Sequence, residues 1–185
     1  MAGKCGERGT PHSVPHARYP TPSGFRKGAG WTGGGADPVE WIGVVYNDVK
    51  EPIDEGWGVV ESEVVLDETL TDGLDGIEEF SHVLILYWMH RAAEAEPVRM
   101  RRHPQGRQDM PEVGIFAQRA RHRPNPIGVA AVTLLRREKN RLFVRGLDAI
   151  NGTPVVDVKP YVPQFDAVGS PRVPEWINRL MERYF

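Results

Sequence analysis

From Trp41 onward the apolar residues fall in short runs cut by Gly, Pro, Asn and Asp. Trp41–Tyr46 (WIGVVY) is the first run, and Gly58–Leu66 (GVVESEVVL) the second, its valines interrupted by polar residues. Asp67–Phe80 is acidic, carries Gly73 and Gly76, and predicts a turn with one short helix. Val83–Met89 (VLILYWM) has no polar break, the pattern of a strand covered on both faces. Gly114–Ala117, Ile127–Leu135, Leu142–Ile150 and Pro154–Val158 continue the series. Strands at this spacing, with turn residues between them, predict a sandwich or barrel rather than a β-α-β alternation. Only Glu175–Phe185 has a clear helical period: Ile177, Leu180, Met181 and Tyr184 follow the i, i+3, i+4, i+7 rule behind Pro174. The expectation from the pattern is a mostly β domain, sandwich or barrel-like, over 39–170, with a few short helices and a C-terminal helix over 171–185.

Residues 1–38 break this pattern. They hold nine of the 20 glycines, several prolines and almost no aliphatic side chains. Such a segment cannot bury enough apolar surface to offset its chain entropy, which predicts a disordered or loosely attached arm. Its Thr32-Gly33-Gly34-Gly35-Ala36 follows no strand and lacks the P-loop lysine, so it reads as a linker and not a phosphate loop.

Composition narrows the possible functions. No run approaches the roughly 18 apolar residues of a membrane helix. The opening MAGKCGERGTPHS has no apolar core of a secretory leader, and a single cysteine, Cys5, excludes a disulfide framework and a cysteine-built zinc site; no metal is expected. A reducing cytoplasm follows as the expected compartment. Charge is more informative by place than by total. Residues 99–123 carry Arg99, Arg101, Arg102, Arg107, Arg119, Arg121 and Arg123 against Asp109 and Glu112, a local +5 in a chain of net −2. Guanidinium forks in that density suit phosphate recognition, although a solvated loop has the same composition.

Four polar clusters sit beside predicted strands. His90-Arg91 follows VLILYWM directly, where a satisfied strand-end pair would also be ordinary. Phe116–Gly128 (FAQRARHRPNPIG) places arginines around Pro124-Asn125-Pro126, a turn with two fixed φ angles. Leu147–Pro154 (LDAINGTP) ends in Asn151-Gly152, a hairpin signal that leaves Asp148 less easily explained. Asp157-Val158-Lys159 puts opposite charges two apart on one strand face, an arrangement that a salt bridge alone accounts for.

The runs GLDGIEEFSHVLILYWMHR, GIFAQRARHRPNPIG and LDAINGTPVVDVKPYVPQFD resemble, in that order, the signatures of the TsaA-like (YaeB-like, TrmO) family, over about Ile42 to Asp166. The resemblance implies an S-adenosylmethionine-binding β-barrel that dimerises with its cofactor near the subunit interface. It implies methylation of N6 of threonylcarbamoyladenosine beside the tRNA anticodon. The cofactor residues it assigns are His90, Arg91, Arg119, Leu147, Asp148, Ala149 and Ile150. Arginine suits the cofactor's carboxylate, Asp148 or carbonyls its cationic parts, and Leu147 and Ile150 an adenine wall. A carbamoylated nitrogen is a poor nucleophile, which makes Asp148 and His90 the candidate bases. Arg101, Arg102, Arg107, Arg123, Asn125 and Lys159 are the candidate tRNA contacts. The Pro-Arg-Gln triplet of the bacterial members is absent from Val49–Trp57, and Asn151 replaces their usual Asp. A same-fold methyltransferase of small molecules, and a non-catalytic binding module for the cofactor or RNA, are the alternatives. The excess of apolar residues in VLILYWM and after Pro126 also predicts a homodimer.

Overall fold

The computed structural model describes residues 39–92 and 98–185. The expected arm, with its glycine run and Cys5, lies outside the described residues. Among the described residues there are eight strands: β1 (Gly43–Tyr46), β2 (Glu61–Leu66), β3 (His82–Trp88), β4 (Arg101–Arg102), β5 (Val113–Gly114), β6 (Ile127–Glu138), β7 (Arg141–Arg145) and β8 (Pro154–Pro160). Six of them close into one antiparallel barrel in the order β1-β2-β7-β6-β3-β8, while β4 and β5 pair with each other outside it. Of the sandwich and the barrel that the pattern allowed, the single-sheet barrel implied by the resemblance is what forms.

Alternation fills its interior. Val64 and Leu66 of β2, Val83, Ile85 and Tyr87 of β3, Val132 of β6, and Leu142 and Val144 of β7 all point inward and are buried. Each such aliphatic side chain contributes about 1.5–3 kcal/mol relative to exposure. β6 is long because it serves two partners: 127–133 pairs with β3 and 133–138 with β7, and a register shift at Leu134/Arg136 bends it between them.

The predicted strand VLILYWM differs from expectation in one respect. Its inner face is fully buried, but Leu84, Leu86 and Trp88 on the outer face are only half-buried within one chain. They lie opposite Ala131, Val129 and Ile127 of β6, and the last two are 41% and 46% exposed. An apolar stripe thus runs along the outside of the barrel.

Three other expectations are corrected. Gly114–Ala117 is not one strand: Val113–Gly114 pairs with β4, and Ile115–Ala117 turns into a 3₁₀ segment that leaves Phe116 exposed. Asp67–Phe80 forms two 3₁₀ segments, Glu68–Leu74 and Ile77–Glu79, divided at Gly76 (φ +85°). The strand expected over Leu142–Ile150 stops at Arg145, where Gly146 takes φ +88°. Asn151-Gly152 accordingly does not join paired strands. β7 and β8 stand on opposite sides of the barrel, and residues 146–153 cross its end between them.

Two helices follow β8: α1 (Pro163–Asp166) and α2 (Glu175–Met181). α2 is shorter than its sequence period suggests and buries none of its residues. Tyr184, the fourth member of the apolar stripe, falls beyond the helix and packs elsewhere. Among the described residues no helix is long and apolar enough to cross a membrane.

Candidate active site at the mouth of the barrel

The pairing registers put Tyr46, Glu61, Trp88, Ile127, Arg145 and Pro154 at one end of the barrel. The 47–60 loop, the His90–Ala92 turn, the 98–126 excursion and the 146–153 crossing all emerge there. Three of the four polar clusters singled out in the sequence therefore gather at one mouth.

The crossing segment closes that mouth. Leu147 and Ala149 point into the core, while Asp148 between them faces outward and is half-buried. Asn47 holds the crossing in place: its Nδ2 donates to Ala149 O (2.8 Å) and Ser62 Oγ (2.9 Å), and its backbone N donates to Asn151 Oδ1 (3.1 Å). Gly152, at φ +81°, donates its backbone N–H to Val45 O (2.8 Å). Asn151-Gly152 is thus a clasp to β1.

Asp148 lies between two tyrosines. Tyr87 Oη donates to Asp148 Oδ1 (2.7 Å) and reaches its carbonyl oxygen (3.1 Å), and Tyr184 Oη donates to Asp148 Oδ2 (2.8 Å). Burial, reinforced by the negative charge of Asp148, pushes both phenols well above the usual tyrosine range, so they stay protonated donors. The Arg119 guanidinium is near enough to oppose both shifts. Room for Tyr87 comes from the PNPIG motif: a Cβ on Gly128 would lie 2.2 Å from the Tyr87 ring. A register shift at Leu86/Tyr87 in the β3–β8 pairing further sets the direction of this side chain.

The remaining predicted residues divide by location. His90 is half-buried on the turn after β3, and Arg91 beside it pairs with Glu51 of the 47–60 loop (2.5 Å). Arg119 Nη2 donates to Val129 O, tying the FAQRAR segment to β6. Arg123 donates to Gln118 O (3.1 Å), with its guanidinium carbon 6.0 Å from the exposed Phe116 ring centre. Asn125 is exposed at the tip of the Pro-Asn-Pro turn. Ile150 is buried at the mouth, outside the main core cluster.

Three assignments change. Leu147 cannot form an adenine wall, because its side chain is fully buried in the core; what it and Ala149 can offer a ligand is backbone. Lys159 stands opposite Leu84, toward the far end of the barrel from the mouth, and pairs with Asp157 (2.5 Å). Arg107 lines a different cleft from Arg101 and Arg102. It is held by both oxygens of Asp109 (3.1 and 2.7 Å) and lines a cleft with Asp54, Glu55 and Arg183. Arg101 and Arg102 instead line a separate cleft of about 220 Å³ with Arg99, His103, Glu112 and His122.

Sequence reasoning missed Tyr87, Tyr184, Asn47 and Gln118. Gln118 Nε2 donates to Arg102 O (2.9 Å) and Val113 O (3.1 Å), stitching the excursion together. Its Oε1 is buried with no hydrogen-bond partner among the described residues. The first two carried a visible signal only as aromatics in apolar stripes, where a hydroxyl is easily overlooked.

A small closed antiparallel barrel whose mouth presents a fixed carboxylate, a neighbouring guanidinium and a cluster of arginines is a class suited to small charged ligands and polyanions. The chain belongs to the tRNA-methyltransferase O N-terminal domain family, whose model matches residues 48–167. It is 43% identical over 133 residues to an S-adenosyl-L-methionine-binding protein of Archaeoglobus fulgidus, covering 70% of this chain and 92% of that one. It is 37% identical over 100 residues to the human tRNA (adenine(37)-N6)-methyltransferase, covering 51% of this chain and 21% of the human protein. The crystal structure of TrmO from Pseudomonas aeruginosa superposes with a TM-score of 0.58 at 33% identity, covering 72% of this chain and 60% of that one. The chain thus spans nearly the whole of a short archaeal relative and under two thirds of the bacterial structure.

Proposed function

We propose that the protein binds S-adenosylmethionine at this mouth and methylates N6 of threonylcarbamoyladenosine next to the tRNA anticodon. As a member of its family it is an S-adenosylmethionine-dependent methyltransferase. The archaeal and human relatives described above support the cofactor and the tRNA adenine respectively. The single observation that carries the reading is the convergence of Asp148, its two tyrosines and Arg119 at one opening.

The donor set fits the cofactor part by part. Asp148 keeps spare lone pairs after accepting from Tyr87 and Tyr184, and these suit a sulfonium or ammonium. Gln118 Oε1 is a further acceptor without a partner among the described residues. Arg119 suits a carboxylate, and His90, Arg91 and Ile150 at the same mouth are proposed to complete the cofactor site. Bound there, the cofactor supplies an electrophilic methyl carbon. The chain's task is to hold the N6 nitrogen in line with that carbon and the departing sulfur. Methyl transfer to N6 would also require a group of the chain to take up the N6 proton. Asp148 already accepts hydrogen bonds from two hydroxyls and is best suited to fixing charge, which leaves His90 as the proposed proton acceptor.

Arg101 and Arg102 in their cleft, with Arg123 and Asn125 on the neighbouring turn, form the surface offered to tRNA phosphates. The apolar stripe on β3 and β6 is the proposed homodimer face, and the cytoplasm is the proposed compartment. The test uses purified protein, S-adenosylmethionine and two tRNA pools, one bearing and one lacking the threonylcarbamoyl group. Nucleoside mass spectrometry should find the new methyl group only on the threonylcarbamoyl nucleoside. Methylation of unmodified adenosine would overturn the substrate, and no product from either pool would overturn a tRNA role.

A further inference from the structure

Tyr184 stands apart from the rest of the mouth, because it reaches it from outside the segment that the family model matches. It follows α2 on a short stretch that docks against the 47–60 loop through backbone hydrogen bonds, with Arg183 also pairing with Glu55 at 4.0 Å. Gly56 N donates to Arg183 O and Trp57 N to Tyr184 O, each at 2.8 Å. The fit is close: a Cβ on Gly58 would sit 2.7 Å from the Phe185 carbonyl carbon. The Phe185 ring meets Tyr184 edge-on, with centres 4.9 Å apart. Trp57, buried at the start of this contact, donates its indole N–H to Ile53 O (3.1 Å) and stiffens the loop that receives the stretch. All of this delivers a single polar group, the Tyr184 hydroxyl, to Asp148 Oδ2.

With Tyr87 alone, one carboxylate oxygen would be anchored and the group could rotate about its Cβ–Cγ bond. Tyr184 anchors the second oxygen from the opposite side and fixes the plane of the carboxylate. We infer that Tyr184 is a positioning residue of the cofactor site, orienting the Asp148 carboxylate toward the cationic part of the cofactor. The inference rests on the cofactor-site reading of Asp148. The gain lies in preorganisation: a carboxylate already oriented loses less freedom when a cation arrives.

The experiment is a double-mutant cycle on the full chain, read by calorimetric titration with S-adenosylmethionine. Tyr184→Phe keeps the ring and its contacts while removing the hydroxyl, and should weaken binding about tenfold, a change of about 1.4 kcal/mol. In an Asp148→Asn background, where the negative charge that Tyr184 orients is gone, adding Tyr184→Phe should change affinity by less than about twofold. A merely structural contribution of the docked stretch would weaken binding equally in both backgrounds and would overturn the inference. So would wild-type affinity in Tyr184→Phe while Asp148→Asn is impaired. If Asp148→Asn itself binds like wild type, the cofactor-site reading fails, and the inference with it. Should Tyr184→Phe not fold, Gly58→Ala, which displaces the same stretch, takes its place in the cycle with the same expectations.

Discussion

Tyr87 is buried among aliphatic side chains and yet spends its hydroxyl on a carboxylate, which gives it a pH signature. Its folded-state pKa is raised, so the folded chain keeps this proton where the unfolded chain, titrating near pH 10, gives it up. Stability from this residue is therefore complete below about pH 10 and is lost as pH rises beyond it. Tyr87→Phe should cost about 1–3 kcal/mol at neutral pH, from loss of a hydrogen bond to a charged group. The gap to wild type should narrow above about pH 10, and chemical denaturation across that range checks it. An unchanging gap would show that the ionisation is not linked to folding. Residues such as Tyr87 are hard to read in a sequence because the apolar run that predicts their strand also hides their polar end. Asp148 was legible by contrast: a carboxylate among Leu147, Ala149 and Ile150 contradicts its surroundings and invites a reason.

At the level of elements, sequence periodicity located the barrel strands well, because closing a barrel imposes an inside and an outside on every strand. It failed where tertiary geometry overrides local preference. Asn151-Gly152 has hairpin chemistry, but Gly146 has already ended β7, and the pair is used to clasp a crossing segment to β1. The arginine excursion carries no period at all, so its charge was legible and its division into two clefts was not. That division makes a prediction. Replacing Arg101 and Arg102 together by Ala should lower the salt slope of tRNA binding by roughly two units, through lost counterion release, and leave cofactor affinity unchanged. Arg107→Ala should leave the slope unchanged, because its guanidinium is held by both oxygens of Asp109, at 3.1 and 2.7 Å, whereas Arg101 meets the Glu112 carboxylate only at 3.7 Å. Filter binding at several salt concentrations measures both, and equal slopes in the double variant and wild type would remove this cleft from tRNA recognition.

The whole molecule exposes more apolar strand surface than a lone small barrel needs. Leu84, Leu86, Trp88, Ile127 and Val129 form one stripe, flanked by Trp41 with its ring centre 5.6 Å from that of Trp88. Such a stripe marks an interface. Sedimentation at micromolar concentration should therefore give about twice the 20.7 kDa of one chain, and Val129→Lys should return it to that value. A wild-type monomer would leave the stripe without its proposed partner.

The segment crossing the barrel end also bears on how the chain folds. It ties Asn47 to Asn151, 104 residues apart, and β8 can join β1 and β3 only once that crossing is laid across the end. β1 with β2 and β6 with β7 pair as neighbours in the chain, whereas β1 meets β8 only through Gly43–Val155 and Val44–Pro154, the most distant pairing of the barrel, so its closure is expected to be the slow and late event. Asp148 meets Tyr87 and Tyr184 only after closure. A ligand that recognises their arrangement finds nothing to bind in a partly folded chain. It cannot hasten folding, and acts instead by slowing the opening of a barrel already closed. For this protein the cofactor would set how long the native state lasts, while the sequence alone sets how soon it is reached.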